Sequence, residues 1–396
     1  MSDPDSAALR RRFQQQERQV QALRAAVFSL PDPSANPDIL RQLAAAEQAL
    51  RSAQQPAPPA PAGAPTTAPH GRLLGPETTG LRVAPTVHMH SLPTGIYHLL
   101  DPDADPLLTV VVGNVSTDRK PRRVKAFIEG LSAEAVRTVE IERGKDVTLK
   151  LLPTLFPERA RAITEVQRAT LHLRVEDLDG KPECHDTFPL VCLSRNSSFN
   201  AVIRPDTGEP MDLTHYYGAW VTPYAEPVQD CIRRAADMCE GRMIHGYQRG
   251  RDSVTEQVKA LYAALREAQI TYVNSVIDYG AGPGQQTQRT RLPRESLAGK
   301  RANCIDGSVL FASLLEGASL NAALVVVPGH ALVAWETWHG NNEWRCLETT
   351  LVGSADFDAA CRSGQQIHDI YQGQSPSPLR MHRLADLRAR GIWPME

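Results

Sequence analysis

The stretch from Arg301 to Val352 constrains the fold more than any other part of this chain. It opens with Asn303-Cys304-Ile305-Asp306-Gly307, and apolar residues then recur at helical spacing as far as Gly317. Short apolar runs of the kind found in buried strands follow at 324–327, 331–335 and 344–347. This order predicts a helix that packs against a set of neighbouring strands.

Cys304 lies at the start of the predicted helix. The unpaired N–H groups and the dipole at a helix N-terminus favour an anion, so a thiol at this position ionises more easily. A thiolate nucleophile needs an imidazole to exchange protons with it, and the imidazole needs an acceptor that fixes its tautomer. His330 and Glu348 lie at the ends of predicted strands, where antiparallel neighbours can meet. The sequence therefore predicts a nucleophilic site made of Cys304, His330 and Glu348.

These residues resemble the motifs of the transglutaminase-like superfamily of papain-type cysteine enzymes. The shared features are a cysteine at a helix start, a histidine on a strand, and a tryptophan-containing strand that leads into an acidic residue and a threonine. The resemblance covers roughly residues 212–352 and is nearest to the bacterial transglutaminase-like cysteine proteases. It implies a papain-like α+β domain in which Cys304 is the nucleophile, His330 the general base and Glu348 the orienting acid. The third position is more often aspartate in that family.

The resemblance also implies an oxyanion donor ahead of the cysteine. Gln285 and Gln286, in a Gly- and Gln-rich loop before Arg289, are the candidates, and Gln286 is the one we assign. Asp306, three residues after Asn303, is expected to cap the helix rather than to act as an acid.

Three functions are compatible with this pattern. A cysteine protease and a transglutaminase both form a thioester on Cys304, and they differ in whether water or an amine attacks it. A scaffold with a degenerate site is the third, with Cys304 as a small buried hydrophobe and Glu348 as a solvated charge. We expect the protease, with a protein or peptide substrate and without a metal, nucleotide or organic cofactor. His88-Met89-His90 lacks the third ligand that a metal site needs.

The first 55 residues predict a helical hairpin. Apolar residues repeat at spacings of three and four from Leu9 to Val27 and from Ile39 to Leu50, with a proline-containing break at 30–34. A helix pair with so narrow a coiled-coil seam buries little surface alone. We therefore expect residues 1–55 to bind a protein partner, to self-associate or to fold back on the body. Residues 56–72 are rich in proline and alanine and predict an extended linker.

The remaining residues predict two folded domains. Residues 80–203 show short alternating strands and turn signals such as Asp179-Gly180, which favour an antiparallel β-sandwich of immunoglobulin or fibronectin type. Residues 205–396 add predicted helices before Cys304, including 253–268, and form the transglutaminase-like domain. The whole chain is thus predicted to be multidomain α+β, with a helical hairpin, a β-sandwich and a catalytic domain.

Composition excludes several classes of function. The 43 Lys and Arg residues against 45 Asp and Glu residues leave a net charge of −2, which argues against nucleic-acid binding. No apolar run approaches the ~18 residues of a membrane span, and the first residues lack the apolar core of a secretory signal. Seven cysteines without paired spacing suit a reducing compartment, so we expect a cytoplasmic protein. A role in bacterial signalling or defence is a hypothesis that no motif supports directly.

Overall fold

The computed structural model describes residues 80–115, 120–203, 210–273 and 287–395, together with isolated helical positions at Gln19, Leu23, Gln42 and Ala46. The chain divides into two units, Met1–Ala68 and Pro69–Glu396, and the elements below all belong to the second. Apart from those four positions, the predicted hairpin and the linker lie outside the described residues. Gln285 and Gln286 also lie outside them.

The first part of the described fold contains strands and one short helix. In chain order they are β1 (Leu81–Val87), β2 (Ser91–Leu92), β3 (Leu108–Asn114), β4 (Lys120–Ile128), β5 (Ala135–Ile141), β6 (Asp146–Leu151), α1 (Pro157–Ala162), β7 (Gln167–Glu176) and β8 (Pro182–Cys192). They form a sheet of order β1-β3-β6 and a second sheet of order β2-β8-β7-β4-β5. Pairing is antiparallel except between β2 and β8.

The two sheets share a single apolar core. Strands β4, β7 and β8 bury every second side chain over most of their length, as their alternating sequences predict. The inward residues of both sheets, among them Val110, Val124 and Leu173, belong to one buried cluster. Helix α1 lies between β6 and β7, and Pro157 occupies its first turn.

The second part of the described fold is mixed. Its elements are β9 (Ser197–Phe199), β10 (Ala201–Ile203), β11 (Pro210–Asp212), α2 (Glu226–Asp237), α3 (Arg251–Glu267), β12 (Thr271–Tyr272), β13 (Thr287–Arg289), α4 (Pro293–Gly299), β14 (Arg301–Ala302), α5 (Cys304–Gly317), β15 (Ala322–Val327), β16 (His330–Glu336), β17 (Trp344–Leu347), α6 (Phe357–Gln372), β18 (Arg380–Arg383) and α7 (Leu384–Ala389). Short 3-10 helices span Tyr97–Leu99, Thr214–Trp220, Glu240–Arg242 and Thr349–Leu351.

A four-stranded antiparallel sheet of order β17-β16-β15-β18 organises this part. Alternate residues of β15 and β16 enter two different cores, which explains why β15 and the interior of β16 are apolar. Leu324, Val333 and Trp335 join the side chains of α5 in the larger core. Val325 and Leu332 pack with Ile367 and Tyr371 of α6 in a smaller core. The sheet is therefore covered by α5 on one face and by the C-terminal half of α6 on the other.

The sequence predictions for this part agree closely with the structure. Helix α5 ends at Gly317 and α3 spans nearly the predicted range. At the C-terminus Leu384, Leu387 and Ile392 are buried, whereas Trp393 is 65% exposed. The described chain is thus mixed α+β with several sheets. Within the described ranges, no helix combines the length and the apolar character that crossing a membrane requires.

Candidate active site

The three residues predicted to form the site come from three elements that meet at one end of the sheet. Cys304 is the first residue of α5, His330 is the first residue of β16, and Glu348 directly follows β17. The β15–β16 turn brings the chain back at Gly329, whose φ of +70° favours glycine. The register that pairs Val333 with Leu347 puts His330 and Glu348 at diagonal positions of adjacent strands.

His330 and Glu348 form a close, buried pair. The distance between His330 Nε2 and Glu348 Oε2 is 2.5 Å, and the Glu348 side chain is 1% exposed. Glu348 Oε1 accepts hydrogen bonds from the Thr350 N–H and hydroxyl, at 2.9 and 2.7 Å. Burial disfavours the ionised carboxylate, but His330 and Thr350 outweigh it and lower the pKa of Glu348. Both carboxylate oxygens are thus satisfied in the charged form.

Cys304 lies within hydrogen-bonding reach of the His330 ring. Because Nε2 is taken by Glu348, Nδ1 is the nitrogen left to face the thiol. Burial of the ring opposes protonation, but the Glu348 carboxylate and Cys304 together raise the pKa of His330 to about 10. His330 is therefore an imidazolium at neutral pH, with its Nε2–H directed at Glu348.

The start of α5 supplies free amide donors beside the thiol. Asn303 is extended, and its side chain accepts the Asp306 N–H at 2.8 Å. Its backbone carbonyl accepts the Gly307 N–H at 2.9 Å. The N–H groups of Cys304 and Ile305 precede these and have no intrahelical acceptor. They are positioned to stabilise negative charge on an oxygen bound next to Cys304.

Asp306 caps the helix, as predicted. Its Oδ2 accepts the Asn303 N–H at 3.1 Å and the Arg291 Nη1–H at 2.7 Å, and its Oδ1 accepts the Arg291 N–H at 2.6 Å. Burial raises the pKa of Asp306, against the effect of the hydrogen bonds from Arg291 and Asn303. These contacts use both oxygens inside the helix cap, so Asp306 is not presented to a substrate.

Tyr217, for which the sequence analysis predicts no role, is affected electrostatically by Cys304. Tyr217 is buried, and its hydroxyl donates to Asn200 Oδ1. Burial, and then the charge that Cys304 carries when ionised, raise the pKa of Tyr217. The sequence signal at this position is the aromatic run Tyr216-Tyr217-Gly218-Ala219-Trp220, which lies far from Cys304 in the chain.

The remaining candidates from the sequence are the oxyanion donor and the His88-Met89-His90 segment. The predicted oxyanion donor, Gln286, is not placed by the described residues, so that prediction stays open. His88 Nε2 lies 2.8 Å from Thr109 Oγ1. Over the described ranges, no three His, Cys, Asp or Glu side chains are grouped in a way that would hold a metal ion.

Comparison of the chain with protein-family models, with curated proteins and with solved structures finds no match. The chemistry of the site therefore follows from its own geometry: a thiol at a helix start, a protonated imidazole beside it, and a buried carboxylate that holds the imidazole. Such a set can attack an acyl carbon and then protonate the departing group.

Proposed function

We propose that this protein is a cysteine protease with a transglutaminase-like catalytic domain. The observation that carries the proposal is the 2.5 Å contact between His330 and Glu348, on a ring that also reaches Cys304 at the start of α5. A structural histidine needs no thiol partner, and a structural cysteine needs no imidazolium. The combination is the one that thiol nucleophiles use.

The first half of the reaction forms a thioester. The Cys304 thiolate attacks the carbonyl carbon of a peptide bond, and the carbonyl electron pair moves onto the oxygen. The N–H groups of Cys304 and Ile305 stabilise that oxyanion. As the carbonyl reforms, the C–N bond breaks, and His330 donates its Nδ1 proton to the leaving amine.

The second half releases the acid. Neutral His330 takes a proton from water, whose oxygen attacks the thioester carbon. The C–S bond breaks, the carboxylic acid leaves, and the Cys304 thiolate and the His330 imidazolium are restored. Glu348 stays ionised throughout and holds the ring with Nε2–H directed at its own carboxylate.

The finer fold assignment is part of the same proposal. Residues 80–203 form an immunoglobulin- or fibronectin-like sandwich, supported by two sheets with alternating burial around one core. Residues 205–396 form the transglutaminase-like domain, supported by the order α5, β15, β16, β17 around the three site residues. Strands β9 and β10 pair with β13 and β11, so the end of the predicted sandwich is joined to the following domain. Partner binding by residues 1–55 and a cytoplasmic location stay predictions.

Cysteine alkylation against pH tests the proposed nucleophile. We expect Cys304 to react with iodoacetamide at pH 6 much faster than Cys239, the other cysteine of intermediate exposure, which serves as an internal control. His330→Ala should slow Cys304 and leave Cys239 unchanged, as read by peptide mapping. A Cys304 rate equal to that of Cys239 in the wild type would overturn the proposal.

Product analysis then separates hydrolysis from amine transfer. The protein is incubated with an unfolded protein substrate and a fluorescent primary amine. New peptide α-amino ends that depend on Cys304 support the protease. Incorporation of the amine at glutamine without chain cleavage would assign the site to acyl transfer instead.

A further inference from the structure

Helix α6 touches the chain at the residue that orients His330. The Glu348 N–H donates to the Ala360 carbonyl oxygen of α6 at 3.1 Å. One turn later, Gly364 faces the same backbone. A Cβ at Gly364 would lie 2.8 Å from Glu348 N, and equally close to the N and C atoms of Leu347. Cβ atoms essentially never come this near to other heavy atoms, so only glycine permits the contact.

The same segment also contacts α5, through the side chain of Thr349. A Cβ at Gly307 of α5 would lie 2.7 Å from Thr349 Oγ1 and 3.1 Å from Thr349 Cβ. Glu348 and Thr349 therefore run between two helices, each of which presents a glycine to them. We call Gly307 and Gly364 the glycine clamp.

Helix α6 has little freedom to move away from Glu348. Asp356 caps the start of the helix, and its side chain accepts the Ala359 N–H at 2.7 Å. Phe357 and Ala360 are buried in the larger core, whereas Ile367 and Tyr371 are buried in the smaller one. Because α6 is fixed in two cores, a Cβ added at Gly364 has to displace the backbone of Glu348 or part of the helix.

The catalytic contacts of Glu348 are short and would report such a displacement. Its carboxylate makes the 2.5 Å contact with His330 and the 2.7 and 2.9 Å contacts with Thr350. A misplacement of about 1 Å in a catalytic constellation can cost about a hundredfold in rate. The position of α6 thus decides whether Glu348 holds His330 toward Cys304.

We propose that α6 positions the orienting acid through the glycine clamp, and that Gly364 is a positioning residue for the Cys304 site. This inference rests on the proposed function, because it concerns the same His330–Glu348 pair. Gly364 touches neither the substrate nor the reacting atoms, and it acts through the backbone of Leu347 and Glu348.

The test compares Gly364→Ala with Gly373→Ala in the full-length protein. Gly373 closes the same helix, and a Cβ there would meet only carbonyl oxygens of Asp369 and Ile370, at 3.2 and 3.9 Å. In Gly364→Ala, we expect the pKa of His330, read by NMR, to fall from about 10 toward its ordinary value of about 6.5. The alkylation rate of Cys304 at pH 6 should fall about tenfold or more. Gly373→Ala should leave both unchanged.

Each outcome decides the inference. A folded Gly364→Ala protein that keeps the wild-type His330 titration and Cys304 rate overturns it. If Gly364→Ala does not fold, Ile367→Ala replaces it, since this variant loosens α6 from the smaller core without adding an atom at Glu348. A lowered His330 pKa in that variant supports the inference, and an unchanged one overturns it. A wild-type protein without a raised His330 pKa and without a fast Cys304 would instead refute the proposed function.

Discussion

Two histidines of the four-stranded sheet differ in protonation state at neutral pH. His330 begins β16 and His382 lies in β18, and both are partly buried. The pKa of His330 is raised to about 10, whereas that of His382 is lowered to about 4. His330 is therefore a cation at pH 7 and His382 is neutral.

The partner of each ring explains the difference. Burial disfavours the charged form of both. His330 faces the carboxylate of Glu348 at 2.5 Å, which outweighs burial. His382 Nε2 faces the hydroxyl of Thr214 at 2.8 Å, and although Asp212 opposes the shift, His215, Arg390 and Arg380 add to the effect of burial.

The tautomer of His382 follows from the same contacts. The Thr214 hydroxyl donates to Asp212 Oδ1 at 2.6 Å, so it can only accept from His382 Nε2–H. His382 is thus a neutral donor within a structural network, whereas His330 is a cation and, in the proposed reaction, the proton donor. Both histidines are buried to some extent and both belong to the same sheet. The difference in their charge comes from the carboxylate that contacts His330 directly.

Glu348→Gln should produce the largest effect, because it removes the charge that distinguishes His330 and keeps the shape of the side chain. We expect the pKa of His330 to fall below about 6.5, as for His382, since only burial and Cys304 then act on it. Peptide hydrolysis at pH 7 should fall about a thousandfold or more. NMR titration and kcat/KM measure the two quantities. Asp212→Asn is the control and should change neither the pKa of His330 nor kcat/KM. A Glu348→Gln protein that hydrolyses peptides at the wild-type rate would contradict the explanation given for the two histidines.

The same pair should make stability depend on pH in a defined window. Because the pKa of His330 is raised on folding, its protonation stabilises the folded protein. This stabilisation is complete below the pKa of about 6.5 that His330 has in the unfolded chain, and it is lost as the pH rises toward 10. The lowered pKa of Glu348 gives stability that is lost as pH falls through its folded value. The free energy of unfolding of the wild type should exceed that of Glu348→Gln by about 3 kcal/mol near pH 6.

That difference should shrink steadily between pH 7 and pH 10, as read by urea unfolding of both proteins at each pH. A difference that stays constant across this range would mean that His330 is not charged in the folded protein.

His382 should show the reverse dependence, with a smaller amplitude. Its lowered pKa gives stability that is present above about 6.5 and is lost as pH falls toward 4. His382→Gln cannot take up this proton, so from pH 7 to pH 5 it should lose about 2 kcal/mol less stability than the wild type. Urea unfolding at the two pH values measures this. His90→Gln, at an exposed position, should behave as the wild type; equal losses in His382→Gln and wild type would contradict the assignment.

The amino-acid sequence by itself determined the local elements of the site. The apolar period after Cys304 and the Asn303–Asp306 cap specify α5, and the apolar runs specify β15, β16 and β17. These features depend on neighbouring residues, so they can be read from short stretches. The position of a cysteine at a helix start and of a histidine at a strand end follows directly from them.

Only the tertiary structure decided the charge states of His330 and His382 and the position of Glu348. His330 and Glu348 are 18 residues apart, whereas Thr214 and His382 are 168 apart. Gly364 gives no sign in the sequence that it lies against the backbone of Glu348. Charge, burial and close packing act through space. The pKa and the orientation of a side chain therefore depend on groups that the fold brings into contact, wherever those groups lie in the sequence.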